Sequence, residues 1–240
     1  NEGSGHGMTM NIIVVHGMRK GTLNQELHQF INTMLEDETY QYEVVFLESE
    51  TRNPYRVIEQ LIQSGERDFR IIPFMIFSGA HFLDDMPAIV QHFKQQYDDV
   101  SFTICEPLGH HPLMVDIVKD KAMDALAHTD YDAVILYVHG STKYRKPEEE
   151  LRAFREQLTL PVPIHVLTLY GSISYKDYLE EVVEGQKRVL FLPIFFYDGY
   201  LVNMTKKRIK QMNLECQIDF TTSINFDQRL REIINDQIDD

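Results

Sequence analysis

Three residues able to bind a divalent metal or take up a proton near neutral pH stand just beyond apolar runs in the first third of the chain. His16 follows Asn11-Ile-Ile-Val-Val, Glu48 follows Val44-Val45-Phe46-Leu47, and His81 lies just past Pro73-Phe-Met-Ile-Phe-Ser-Gly79. Neutral imidazole suits borderline divalent metals and titrates close to pH 7, and a carboxylate adds a hard, charged partner. The spacings, 32 residues from 16 to 48 and 33 from 48 to 81, match no local zinc motif, so only the fold can bring these groups together. Each residue alone has a plainer reading. A strand-end histidine can simply bond a neighbouring carbonyl, and Glu48 can cap a helix or pair with Arg52. Their joint placement at three successive strand ends favours a metal site with open coordination positions. His28 and His92 fall on helical stretches and read as surface or packing residues; His6 reads as part of a tag remnant over 1–9.

The elements that must position these groups alternate along the chain. Strand-like Val/Ile/Phe runs over 11–16, 42–47, 69–77 and 100–105 are separated by amphipathic stretches over 22–38, 54–64, 83–97 and 112–127. That alternation predicts an α/β fold with parallel sheets and helical crossovers. Asn53-Pro54 marks one helix start through an N-cap and a first-turn proline. The pattern then recurs. Tyr131-Asp-Ala-Val-Ile-Leu-Tyr-Val138-His139-Gly140 echoes the run into His16-Gly17, and strands near 132–138, 163–169, 188–195 and 216–221 complete a second set, ending in a helix near 227–236. Two similar lobes, each a four-stranded parallel sheet flanked by helices, are expected over 10–128 and 129–240, with His128-Thr129-Asp130 as the junction. Ligands of open parallel sheets bind beyond the carboxyl ends of the strands, which is where His16, Glu48 and His81 fall. Glu106 and His111 are expected at the same edge, although His111-Pro112 equally reads as a helix start. Asp84 and Asp85 read as lures for metal or as partners of a helix dipole. The second lobe keeps His139 but has Tyr170 where Glu48 stands and Leu201 where His81 stands, which makes it the degenerate copy.

Composition excludes several function classes. A formal net charge of -14 opposes nucleic-acid binding and favours divalent cations. No apolar run approaches the roughly 20 residues a membrane span needs. Cys105 and Cys216 lie far apart with no CxxC spacing, so reduced thiols in a cytoplasmic compartment are expected. No GxxxxGK[ST] or GxGxxG follows a strand, so no nucleotide is expected.

The motifs together resemble the class II chelatases, the sirohydrochlorin ferrochelatases and cobaltochelatases. Val14-Val15-His16-Gly17-Met18-Arg19 is similar to the family's His-Gly-Ser-Arg strand end, with Met18 replacing the usual serine. Val45-Phe-Leu-Glu48, Ile72-Pro-Phe-Met-Ile-Phe-Ser-Gly-Ala-His81 with Asp85-Met-Pro87, and Glu106-Pro-Leu-Gly-His-His111-Pro112 match its further stretches. The resemblance covers nearly the whole chain. It implies two α/β lobes with the active site in the cleft between them, and places catalysis and metal binding on His16, Glu48 and His81. It implies insertion of Fe2+ into sirohydrochlorin, with Co2+ as the alternative metal, and no cofactor beyond that metal substrate. A non-catalytic tetrapyrrole or metal carrier is the reading from another class. The partners implied are the tetrapyrrole and the metal, with no nucleic acid and no membrane, for a chain acting as a monomer. A polycarboxylate substrate needs local positive charge on so acidic a protein. Arg19 and Lys20 after the first His-Gly, Arg52, and Lys143, Arg145 and Lys146 after the second are the candidates. Whether Glu48 ligates, orients a histidine or accepts a proton stays open at this level.

Overall fold

The computed structural model describes residues 9–239, so the expected tag remnant, Thr9 apart, lies outside the described residues. Strands and helices alternate throughout. The first set is β1 (Met10–Val15), α1 (Leu23–Met34), β2 (Tyr42–Phe46), α2 (Pro54–Gln63), β3 (Asp68–Pro73), α3 (Met86–Gln96), β4 (Ser101–Ile104) and α4 (Pro112–His128). The second is β5 (Ala133–Gly140), α5 (Lys146–Gln157), β6 (Ile164–Tyr170), α6 (Tyr175–Val183), β7 (Arg188–Pro193), α7 (Tyr200–Gln211), β8 (Gln217–Phe220) and α8 (Arg229–Asp239). Two four-stranded parallel sheets result, ordered β2-β1-β3-β4 and β6-β5-β7-β8. In both, the first strand, which leads to His-Gly, lies inside the sheet, so the duplicated α/β architecture expected from the sequence is the one observed.

The inner strands read as continuous apolar runs because helices cover both faces of each sheet. Every residue of β1 is buried. Its single polar member, Asn11, is satisfied by the Gln41 carbonyl and the Arg70 guanidinium. One face packs Ile12, Val14, Val45, Ile58, Phe69, Ile71, Ile89 and Phe93 together; in the second sheet Ile135, Tyr137, Leu167, Tyr175, Leu179 and Phe191 do the same. Each such side chain contributes about 1.5–3 kcal/mol by leaving water. Local start signals also hold. Asn53 accepts from the Arg56 N–H ahead of Pro54, and His111 Nδ1 accepts from the Leu113 N–H ahead of Pro112, so His111 is a helix cap.

Two details differ from expectation. β3 stops at Pro73, not near 77, because the Phe74 N–H makes the last bond to β1 at Val14 O, 2.8 Å, and the chain then turns into the loop 76–79. A π-helical turn, His81–Asp85, precedes α3 where a simple helix start was read. The compact units also cut across a single boundary at 128/129. One comprises residues 9–75, Ala80–Leu108 and 230–239; the other comprises Ile76–Gly79 and Gly109–Arg229. Each sheet lies within one unit, but α4 groups with the second sheet and nearly all of α8 with the first. Among the described residues no helix is long and apolar enough to cross a membrane.

Candidate metal-binding active site

His16 is the first residue past β1, and the parallel register that pairs Val15 with Phe46 brings Glu48 alongside. The Glu48 N–H donates to the His16 carbonyl at 3.1 Å, and Glu48 Oε1 lies 4.0 Å from His16 Nε2. His81 opens the π-helical turn after β3, the other neighbour of β1, and its ring meets that of His16 edge to face with centroids 4.3 Å apart. The three residues read from the sequence are therefore gathered at the carboxyl ends of three adjacent strands of one sheet. His16 and His81 are about half exposed, at 51% and 47% of their side-chain surface.

The hydrogen bonds fix which ring nitrogen is available. His16 Nδ1 lies 2.8 Å from the Gly17 carbonyl oxygen. A carbonyl only accepts, so Nδ1 donates this bond, and in the neutral imidazole Nε2 is then the nitrogen with the lone pair. His81 Nδ1 lies 2.7 Å from Asp85 Oδ2, a carboxylate oxygen set behind the ring in the same way. Both imidazoles thus present Nε2 as a base or ligand, each oriented by an oxygen behind it. Among the described residues, no group of three His, Cys, Asp or Glu side chains is arranged to hold a metal ion. The expected ligand set of His16, His81 and Glu48 is gathered without being preassembled. Tetrahedral bonds of about 2.05 Å would bring neighbouring ligand atoms to roughly 3.3 Å, and the Glu48 oxygen stands outside that separation from His16.

The turn after His16 requires its glycine. Gly17 has φ +69°, and a Cβ there would sit 2.5 Å from Asn24 Oδ1 and 2.9 Å from the Phe46 ring. Asn24, on α1, accepts from the Met18 N–H and donates to the Met18 carbonyl, at 2.8 and 2.7 Å, pinning the loop that leaves the site. The repeat keeps this backbone and carries other side chains. His139 Nδ1 bonds the Gly140 carbonyl at 2.8 Å, Gly140 has φ +69°, and Tyr170, register partner of Gly140, lies 5.2 Å from the His139 ring. Leu201 packs against the second core.

The candidate cations divide. Arg19 and Lys20 are exposed beside the first His-Gly. Arg52, by contrast, is engaged beside β2, its guanidinium bonding the Val44 carbonyl at 2.8 and 3.0 Å and Glu43 at 2.9 Å. Lys143 and Arg145 are exposed in the β5–α5 loop of the second unit, where Lys143 Nζ lies 5.2 Å from the Tyr144 ring centre. Glu106 is exposed, and its carbonyl accepts from Gln237. His28 and His92 are ring neighbours of Phe46 and Tyr55, and burial, with the charge of Arg52, holds the His28 pKa below its usual value. For Asp85 the sequence left two readings, a lure for metal and a partner of the helix dipole; the structure instead sets its carboxylate against His81 Nδ1. Its spacing of four residues from His81 was the available signal. Asn24 carried no signal.

Known proteins resemble this chain. The CbiX family model matches residues 10–125. A sirohydrochlorin cobaltochelatase from Priestia megaterium is 25% identical over 98% of this chain and 81% of its own length. A sirohydrochlorin ferrochelatase from the same organism is 24% identical over 73% of this chain and 68% of its own. The structure of SirB from Bacillus subtilis with Fe3+ superposes with a TM-score of 0.80 at 18% identity, covering 96% of this chain and 94% of that one, which shows the shared fold. The family-model match and these similarities support the class II chelatase family for this chain.

Proposed function

We propose that the protein inserts Fe2+ into sirohydrochlorin to form sirohaem, with the metal as substrate and neither nucleotide nor further cofactor. The observation that carries this reading is the pair of imidazoles in ring contact, each with Nδ1 bonded to an oxygen behind it, and the Glu48 carboxylate 4.0 Å from His16 Nε2. Metallation exchanges two pyrrole N–H protons for one divalent cation, so the site must hold the metal, surrender it and take up protons. His16 and His81 bind the cation through Nε2 on one side, leaving the other side to the pyrrole nitrogens. Glu48 accepts one pyrrole proton, and an imidazole Nε2 released from the metal accepts the other. A loose ligand set suits this task, since a closed cage of three strong ligands would retain the cation. Arg19 supports the substrate's carboxylates from the adjoining loop, with Lys143 and Arg145 as candidates on the second unit.

Cobalt insertion is the second reading, favoured by the cobaltochelatase similarity over nearly the full chain. Purified protein given sirohydrochlorin with Fe2+ or Co2+ and followed by absorbance tests both readings. Metallation faster than the spontaneous rate, falling about 10²-fold or more in His16→Ala and His81→Ala, is the expected result. A carrier would bind the pigment without accelerating its metallation, and unchanged rates in both variants would remove the site assignment.

A further inference from the structure

Glu150, on α5, is a buried carboxylate outside the metal-binding group, only 8% exposed. It accepts the Ser78 N–H at 2.8 Å and the Ser78 hydroxyl at 2.9 Å, and His110 Nε2 pairs with its Oε2. Ser78 is itself 1% exposed. It sits in the segment Ile76–Gly79, which groups with the second compact unit and runs through Ala80 into His81. The same short segment is held at two further points. The Gly109 N–H donates to the Ile76 carbonyl at 2.8 Å, with so close an approach that a Cβ on Gly109 would lie 2.3 Å from that oxygen. Phe77 packs edge to face on Phe154, one helical turn beyond Glu150, with centroids 5.9 Å apart.

An apolar side chain at 150 would fill this space without the cost of burying a charge. What the carboxylate adds is direction, because two donors on Ser78 and one on His110 converge on its two oxygens and fix the backbone of the loop, not merely its volume. In the repeat, the corresponding loop leads to Leu201 in place of a histidine. There Asp198 on the loop accepts from the N–H and hydroxyl of Ser223, just past β8, at 3.1 and 2.7 Å. We propose that Glu150 is a positioning residue for the metal-binding imidazole of His81, acting through Ser78 and the loop 76–79. The proposal rests on the metal-binding role given to His81 above. Glu150 touches neither metal nor tetrapyrrole in this scheme, so its removal affects metal binding and turnover and spares pigment binding.

The test compares full-length wild type with Glu150→Ala, Glu150→Gln, Ser78→Ala and the Ser78→Ala/Glu150→Gln double variant, by Co2+ affinity, kcat, tetrapyrrole KM and thermal unfolding. Glu150→Ala should lower kcat about 10²-fold, the scale of a small misplacement of a catalytic group, and weaken Co2+ binding about tenfold with KM for the pigment within about twofold. Glu150→Gln, which keeps an acceptor for the Ser78 N–H, should lose about tenfold in kcat. The double variant should be no worse than Glu150→Gln alone, because both act on one path. Should Glu150→Ala fail to fold, the glutamine and Ser78 variants decide. Wild-type Co2+ affinity and kcat in Glu150→Gln, a loss confined to KM, or full additivity with Ser78→Ala would overturn the proposal. A wild type that binds Co2+ but metallates nothing would instead sink the chelatase reading, with Co2+ affinity still testing the role of Glu150.

Discussion

The smallest feature that matters is the oxygen behind each imidazole. For His16 it is a backbone carbonyl supplied by the adjoining glycine, which no side-chain substitution removes; for His81 it is the Asp85 carboxylate at 2.7 Å. The two histidines should therefore answer differently to mutation. Asp85→Asn keeps the size of the side chain but replaces the carboxylate that accepts from His81 Nδ1 and orients its ring. Losses on removing such partners run about 10- to 100-fold in metal affinity or activity. The expected outcome is a fall of that order in kcat and in Co2+ affinity, with the folded state retained because Asp85 is substantially exposed. Steady-state kinetics and a metal titration check it, and an Asp85→Asn protein with wild-type affinity would show that the turn itself orients His81. Met18, in the loop leaving His16, is tied to Asn24 through its backbone N–H and carbonyl.

At the scale of elements, α8 is the piece whose place the chain order does not announce, since it closes on the first compact unit after the chain has built the second sheet. Polar contacts help hold it there. Glu38 accepts from Asn235 at 3.0 Å and from Arg231 at 2.8 Å, and Tyr40 donates to Asn235 at 2.6 Å. The Asn235 and Arg231 hydrogen bonds hold the Glu38 carboxyl below its ordinary value of 4.5. For a carboxylate depressed in the folded state, the stabilisation is fully present above the unfolded value and is lost as pH falls through the lower, folded one. Acid should then loosen α8 ahead of the β-sheet core. Amide hydrogen exchange at Ile233 and Ile234 should quicken relative to Ile12 and Ile13 as pH is lowered below about 4.5. In Glu38→Gln that pH dependence should flatten, and equal protection of α8 and β1 across the same range would refute the role of Glu38.

Across the whole molecule, charge is unevenly spread along the sequence. Gly109–Arg229 holds 15 of the 23 basic and 17 of the 37 acidic residues, a net of -2, leaving -12 of the total -14 on the rest of the chain, which includes His16, Glu48 and His81. Such a field favours a dication and opposes a polycarboxylate, and salt screens both effects over about 10 Å at 0.1 M. Raising ionic strength from about 50 to 300 mM should lower KM for the tetrapyrrole and raise KM for the metal, each about two- to fivefold. Parallel movement of the two constants would contradict the electrostatic account. The sequence by itself determined the alternating α/β units, the duplication, the His-Gly strand ends and the caps at Asn53 and His111. These depend on residues within a few positions of one another, or on apolar periodicity that burial enforces. It also named His16, Glu48 and His81, because parallel strands all deliver their carboxyl ends to one edge. Only the tertiary structure decided that β1 lies between β2 and β3, that Arg52 is bound to Glu43 and the Val44 carbonyl, that a π-helical turn sets Asp85 behind His81, and that Glu150 reaches Ser78 from 72 residues away. Those pairings are set by which surfaces meet when the sheets and helices pack, and no local pattern of residues records them.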